Sequence, residues 1–455
     1  MGLRLKFLGG AGTVTGSKYL IAHDDTRLLI DCGLFQGLKM LRLRNWAHFP
    51  VDPASVSAVL LSHAHLDHSG YIPLLAKNGF RGPVFSTEAT RELCEILLTD
   101  TGHLQEKDAE FANRHRYSKH RPALPLYTVD DAEKCLRLFK PFAFAHPFDV
   151  PGGGRGLFRR AGHILGAATV ELDWGGVRLV HSGDLGRFDD PMLPDPERIE
   201  RTDYLLIEST YGDRLHGTGN PEDVLAGIVN RTVGRGGTVI VPAFAVGRAQ
   251  HLIFYLADLR RGGRIPKDLP MFLDSPVAID ASDIFVRNPE DHKLTREQCH
   301  VFGGAVKYVR TAEESKALTA NPAPKIVISA SGMATGGRVL HHLERYAPDA
   351  KNSIVFAGYQ AAGTRGAAMI RGAKTIKMHG RYIPLNAEIH DLDMLSAHAD
   401  YSETLRWLKG FAAPPRMTYI VHGEPVAADA LRHRIEEELG WPAHVAELGE
   451  EVALS

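Results

Sequence analysis

Three histidines and one aspartate fall within six residues of a single run, Ser62-His63-Ala64-His65-Leu66-Asp67-His68-Ser69-Gly70. On extended backbone, residues i and i+2 face the same way, so the imidazoles of His63 and His65 can converge on one ion. Asp67 and His68 are adjacent at the turn that follows and can reach a second ion. Imidazole nitrogen suits zinc, and the carboxylate lets a harder cation such as manganese compete. An isolated histidine usually means nothing more than a polar loop, but this density argues for a metal site.

Three separated stretches offer further ligands. His163 sits between small residues in Ala161-Gly162-His163-Ile164-Leu165-Gly166, with room for an ion. Asp184 ends a buried-strand pattern, Leu179-Val180-His181-Ser182-Gly183-Asp184, and could bridge two metals. His422 ends another, Thr418-Tyr419-Ile420-Val421-His422. Each is weak alone; with the cluster they give each ion several ligands and leave space for water, as a catalytic site needs. His181 reads as a core residue or as a group that supports a ligand, not as a ligand itself. Asp31, closing Leu28-Leu29-Ile30-Asp31, is either a turn or cap residue or the acceptor that fixes the tautomer of a ligating histidine.

These groups need strands that end together. Val59-Leu60-Leu61 leads into the cluster as a buried strand, and the spacing of Tyr71-Ile72-Pro73-Leu74-Leu75 predicts a helix after it. Leu3 to Leu8 and Lys18 to Ile21 read as strands around a glycine-rich loop, Gly9–Ser17. That loop lacks the third glycine and the helix of a dinucleotide fingerprint, and is expected to pass close to the metal site. Thr87 to His146 is expected to be helical and polar, with a basic run, Arg114–Arg121, inside it that reads as a solvated face or, less favoured, a phosphate contact.

The 455 residues predict two to three domains, and 44% hydrophobic and 24% charged residues fit an ordinary globular protein. No run approaches a membrane span, so no membrane partner is expected. The start, Met1-Gly2-Leu3-Arg4-Leu5-Lys6, enters a strand pattern without signal-peptide or myristoylation features. Four scattered cysteines without a Cys-x-x-Cys pair predict reduced thiols and a cytoplasmic location. A formal net charge of -1 gives no global field for nucleic acid, so such evidence must be local.

From about Thr210 to the mid-380s, strand and helix patterns alternate, predicting βαβ units and a parallel sheet. The strands end in small-residue loops, among them Ser329-Ala330-Ser331-Gly332-Met333, where backbone amides can approach phosphate. From Lys351 to Ala387 there is no Asp or Glu, yet Arg365, Arg371, Lys374, Lys377 and Arg381 occur. Arg365, within Gly363-Thr364-Arg365-Gly366, suits bidentate phosphate recognition.

The His-x-His-x-Asp-His signature resembles that of the metallo-β-lactamase superfamily, and the added α/β unit narrows the resemblance to the β-CASP nucleases, which include the mRNA 3′-end cleavage endonuclease and ribonuclease J. Their motif A matches Glu208 in Leu205-Leu206-Ile207-Glu208-Ser209-Thr210-Tyr211. Motif B matches His398 in Leu395-Ser396-Ala397-His398-Ala399-Asp400, and motif C matches His422. The resemblance implies an αββα sandwich with an inserted β-CASP α/β domain: residues 1–208 and 386–455 for the metallo-β-lactamase part and 209–385 for the insert. It favours Asp31 as partner of a ligating histidine. Two departures are expected, the lack of the KH domain of many archaeal members and of the long C-terminal domain of ribonuclease J.

What the resemblance implies chemically is a zinc-dependent ribonuclease acting on single-stranded RNA, internally or also from the 5′ end, in RNA processing or decay. Two zinc ions are expected, one on His63, His65, His163 and Asp184, the other on Asp67, His68, Asp184 and His422. His398 is the expected general acid with Glu208 orienting it, and Ser331, Gly332 and Arg365 are expected to hold the phosphate. A DNA-acting nuclease of the same family would carry Val at motif C. An inactive RNA-binding subunit would lose ligands that this chain keeps. The oligomeric state is left open, a homo-oligomer among the alternatives.

Overall fold

A computed structural model describes residues 2–116 and 118–455. The chain forms two compact units, residues 1–215 with 398–455, and residues 216–397. The sequence reading put these boundaries at 208/209 and 385/386; the strand Glu388–Asp391 pairs with Ser353–Phe356 inside the second unit.

In the first unit, two seven-stranded sheets enclose one core. The first runs, edge to edge, Glu451–Leu454, Leu3–Gly9, Lys18–His23, Thr26–Ile30, Ala58–Leu60, Val84–Ser86 and Phe139–Pro141. The second runs Ala443–Val445, Met417–Val421, Tyr204–Glu208, Val177–His181, Ala168–Trp174, Gly154–Arg160 and Phe148–Val150. The period of two along a strand explains the layering: Leu3, Leu5 and Phe7 point into the core while Arg4 and Lys6 point away. Leu5, Phe7, Ile21 and Leu28 meet Phe158, Val170, Leu172 and Leu206 across the core. The outer face of the second sheet, Val180, Leu205, Ile207 and Ile420, is covered by Leu405, Trp407, Leu408 and Leu431 of the helices Tyr401–Leu408 and Pro425–Arg434. Asp400 caps the first of these in a capping box with Glu403. This is the αββα sandwich expected.

The stretch from Thr87 to His146 is less uniformly helical than expected. Glu88–His115 and Val129–Leu136 are helices, but Phe139–Pro141 is the edge strand of the first sheet. The basic run Arg114–Arg121 does not lie inside a helix: the long helix ends at His115, Arg116 takes a left-handed φ of 53°, and the arginines, Lys119 and His120 are exposed. Tyr117 within that run, like Met1 at the start, lies outside the described residues.

In the second unit, six strands pair in parallel in the order Lys307–Tyr308, Met271–Asp274, Ile326–Ser329, Val239–Pro242, Ser353–Phe356 and Glu388–Asp391. Helices such as Arg248–Arg261, Pro276–Arg287 and Val339–Tyr346 make the crossovers. A core of Ile240, Val327, Leu343, Ile354, Phe356 and Met369 fills one side of this sheet. A hairpin, Thr375–Met378 with Arg381–Pro384, stands apart from it. Among the described residues no helix is long and apolar enough to cross a membrane.

Candidate metal centre

Every element that carries a candidate ligand ends at the same rim of the sandwich. Ala58–Leu60 delivers His63 and His65, and the short helix Leu66–Ser69 carries Asp67 and His68. His163 and Asp184 follow the strands Gly154–Arg160 and Val177–His181, and His422 follows Met417–Val421. The rim is locked by backbone bonds. Cys32 N donates to His68 O (2.7 Å), Ser17 N to Asp67 O (2.9 Å) and His422 N to Gly10 O (2.6 Å). The glycine-rich loop therefore packs on the site, as its reading as a turn predicted. Gly33 is required by this packing, because a Cβ there would lie 1.6 Å from Asp67 O.

Two groups of ligand atoms result, His63, His65, His163 and Asp184 in one, Asp67, His68 and His422 in the other. In the first, His65 Nδ1 lies 3.2 Å from His63 Nε2 and 3.2 Å from His163 Nε2, while Asp184 Oδ2 lies 3.5 and 3.6 Å from the same two Nε2 atoms. Four ligands at zinc–nitrogen distances of about 2.0–2.1 Å around a tetrahedral centre sit about 3.3–3.4 Å apart. In the second group, His68 Nε2 and His422 Nε2 are 3.1 Å apart, and His422 Nε2 is 3.5 Å from Asp67 Oδ2. Asp184 faces both: Oδ1 lies 3.3 Å from His68 Nε2 and 3.4 Å from His422 Nδ1. That Oδ1 is buried and makes no hydrogen bond of normal geometry with a described residue. Converging imidazole lone pairs and an orphaned carboxylate oxygen are costly in a low-dielectric pocket and are relieved by a cation. The donor set thus fits a metal.

The tautomers agree with this. Asp31 is fully buried, at a left-handed φ of 56°, and its carboxylate accepts from Ser62 N (2.7 Å), Ser62 Oγ (2.8 Å) and His68 Nδ1 (2.7 Å). A proton held on Nδ1 of His68 leaves Nε2 turned toward Asp184 and His422. His422 also has a left-handed φ, 47°, and its Nδ1 lies 3.2 Å from Thr210 Oγ1. Burial, with His68 as the next cause, holds His63 well below the ordinary imidazole range, and burial lowers His65. Burial opposes a charge on His68 too, but Asp184 and Asp31 outweigh it and lift that imidazole well above its ordinary value; a cation held there would take the place of this proton. Burial likewise opposes charge on Asp184 and Asp67, yet the surrounding histidines hold both carboxyls below the usual range.

Beside the ligands stands a second pair. His398 Nδ1 lies 3.0 Å from Glu208 Oε1 and 3.9 Å from Asp184 Oδ2. Glu208 is fixed by accepting from Leu185 N (2.9 Å) and Thr210 N (3.0 Å). Burial works against protonation of His398, but Glu208 prevails and raises its value. His181 is a buried core residue with its ring 4.9 Å from Tyr19; burial takes it down to about 4. Ser62 and Thr210, which hold Asp31, Glu208 and His422, carry no signal in the sequence beyond lying in the quoted motifs.

The three expected phosphate contacts lie in the second unit. Gly332 sits against Phe244, where a Cβ would come within 2.8 Å of Phe244 N. Ser331 Oγ accepts from Thr335 N (2.9 Å). The Arg365 guanidinium donates to the carbonyls of Lys377 (2.8 Å), Thr335 (2.9 Å) and Ala334 (3.1 Å). It thus binds the 331–337 loop and the strand Thr375–Met378, a use that a count of charges does not reveal.

Comparison with known proteins follows this geometry. A β-lactamase superfamily domain matches residues 26–230, a Beta-Casp domain 249–369, and a Zn-dependent metallo-hydrolase RNA specificity domain 382–446. The chain is similar to ribonuclease TTHA0252 of Thermus thermophilus, 37% identical over 93% of this chain and 93% of that one. It is also similar to the transcription termination factor FttA of Methanocaldococcus jannaschii, 32% identical over 97% of this chain and 71% of that one. The crystal structure of a protein of unknown function from Enterococcus faecalis shares the fold, with a TM-score of 0.56 at 14% identity over all of both chains.

Proposed function

The chain belongs to the β-CASP family of the metallo-β-lactamase superfamily, and from that premise we propose that it is a zinc-dependent ribonuclease hydrolysing RNA phosphodiester bonds. The observation that carries the reading is Asp184, whose two carboxylate oxygens face two separate histidine groups beside the Glu208–His398 pair. We assign residues 1–215 and 398–455 to the metallo-β-lactamase domain and 216–397 to the insert. His63, His65, His163 and Asp184 would hold one zinc ion, and Asp67, His68, His422 and Asp184 a second. When bound, such ions supply water activation near neutral pH and neutralise charge on phosphoryl oxygens.

The remaining steps fall to the chain's own groups. Asp31 keeps the His68 proton on Nδ1. Glu208 accepts from His398 Nδ1, so that Nε2 is the nitrogen left to deliver a proton. A 3′ oxygen leaves poorly as an alkoxide, and His398 protonates it as general acid. Gly332 and Ser331 offer backbone and hydroxyl groups to the phosphate, with Arg365 shaping their loop. The substrate is single-stranded RNA, cut internally or also from the 5′ end, and the place of action is the cytoplasm.

The products test this. Attack by water with departure of the 3′ oxygen leaves a 5′ phosphate and a 3′ hydroxyl. Mass spectrometry of cleaved RNA is expected to show those ends; 2′,3′-cyclic or 3′ phosphates would mean that the neighbouring 2′ hydroxyl is the nucleophile, and the reading would fall.

A further inference from the structure

Between the strand Thr26–Ile30 and the metal-ligand cluster runs a segment whose surface chemistry the centre does not use. Its helix, Lys39–Arg44, has no buried residue. Met40 is 68% exposed, Trp46 59% and Leu43 57%, and Leu38 is exposed as well. Apolar side chains gathered on an exposed surface mark a contact site. No Asp or Glu occurs between Cys32 and Val51, and no carboxylate among the described residues pairs with Lys39, Arg42 or Arg44. Elsewhere on this unit Arg91, Arg178 and Arg432 each have an acidic partner.

The segment is held firmly, and near the centre. The buried Asn45 clamps Phe35, accepting from its N–H (2.9 Å) and donating to its C=O (2.8 Å). The ring of Phe49 lies 5.6 Å from that of Tyr71, three residues past His68. Leu34 N donates to Leu66 O (2.8 Å), so the chain leading into the segment is bonded to the metal-ligand loop itself.

We propose that residues 38–48 form a strap that binds single-stranded RNA beside the metal centre, with bases stacking on Trp46 and its apolar neighbours and phosphates meeting Lys39, Arg42 and Arg44. The proposal rests on the ribonuclease reading. One exposed tryptophan and aliphatic side chains interleaved with basic ones suit a polymer whose own apolar and anionic parts alternate. Charge complementarity selects a polyanion, and the arrangement distinguishes RNA from an anionic membrane. At 100° per residue around the helix, Leu43 falls between Lys39 and Met40, and Arg44 follows Met40, so there is no separate apolar face to insert into lipid. Six residues rise only about 9 Å, a length matched to two or three nucleotides.

The other tryptophans, Trp174, Trp407 and Trp441, are at most 8% exposed, so acrylamide quenching of the intrinsic fluorescence reports Trp46. Zinc-loaded His398→Ala protein, which leaves RNA uncut, is titrated with a 20-nucleotide polyuridine whose binding is followed by anisotropy. Saturation is expected to shield the quenchable tryptophan, and the shielding is expected to fall with salt. In the otherwise native chain, Trp46→Ala and Arg42→Ala are each expected to raise KM for the 20-mer about tenfold with kcat within about twofold. Hydrolysis of bis(p-nitrophenyl) phosphate, too small to span from centre to strap, is expected to be unchanged. Bound RNA that leaves Trp46 fully quenchable overturns the strap, as does an unchanged KM in both variants. Shielding by phosphatidylglycerol vesicles instead of RNA, or loss of shielding on dilution of the protein alone, overturns it in favour of a membrane or a second copy. A native chain that shields Trp46 with RNA but never cuts it supports the strap and sinks the ribonuclease reading, so the two failures are separable.

Discussion

The metal centre and the strand-end loops of the insert both gather polar side chains, and they treat them in opposite ways. At the centre, imidazole nitrogens face one another at 3.1–3.2 Å and a buried carboxylate oxygen has no normal hydrogen bond. Around Asp274 and Arg365 in the insert, the groups satisfy one another. The buried Asp274 accepts from Arg338 Nη1 (2.8 Å), His342 Nε2 (2.7 Å) and Ser315 Oγ (2.5 Å), and Arg365 is bonded to three carbonyls. A set of groups that the protein leaves in conflict awaits a ligand, whereas a set that closes on itself is scaffold.

The comparison breaks most visibly at the centre. His65→Ala and Asp67→Asn are expected to lower bound zinc and abolish RNA cleavage, with elemental analysis and a cleavage assay run on the same sample. Full activity in a metal-depleted variant would refute the assignment of these side chains. His398→Ala is expected to keep its zinc and lose roughly two to four orders of magnitude in kcat, the usual scale of a general acid.

Two further substitutions sharpen the contrast. Asp31→Asn leaves the ligands themselves in place, and is expected to weaken zinc binding by about 10–100-fold in a chelator competition. Glu208→Gln removes the carboxylate that raises His398. In the proposed role the acid form of His398 is the active one and is lost as pH rises through its value, so lowering that value is expected to move the basic limb of the kcat/KM profile to lower pH. A limb that stays put would assign it to another group.

The smallest effect is expected in the insert. Because the Arg365 guanidinium is spent on backbone carbonyls, Arg365→Ala is expected to raise KM for RNA by only about three- to tenfold, through a loosened Ser331–Gly337 loop, with zinc content and kcat unchanged. A salt slope of binding that drops by about one would instead mean that the guanidinium holds a phosphate directly.

What the sequence disclosed follows from which properties are local. The i, i+2 spacing of His63 and His65 and the apolar runs ending at Asp184 and His422 are local, and so were legible; the sandwich that carries them was implied by the resemblance of the His-x-His-x-Asp-His signature. Asp31 was not decided by its neighbours: cap and tautomer-holder look alike until Ser62 and His68 are seen around its carboxylate. The charge run around Arg365 was legible, but not where its five N–H donors point. The strands Phe139–Pro141 and Glu388–Asp391 are too short and too polar to show a period of two. The hydroxyls of Ser62 and Thr210 belong to residue types too common to stand out.

The pairing of His68 with His422 spans 354 positions of the chain, and the first strand, Leu3–Gly9, pairs with Glu451–Leu454. A nascent polypeptide therefore cannot close this centre until His422 has been added, 354 positions after His68, which at about 5–20 residues per second takes roughly 20–70 seconds. From the addition of Asp184 to that of His422, the first group of candidate ligands is complete while the second still lacks its last member. The order of the chain thus sets a long delay between the making of the first candidate ligands and the completion of the second group.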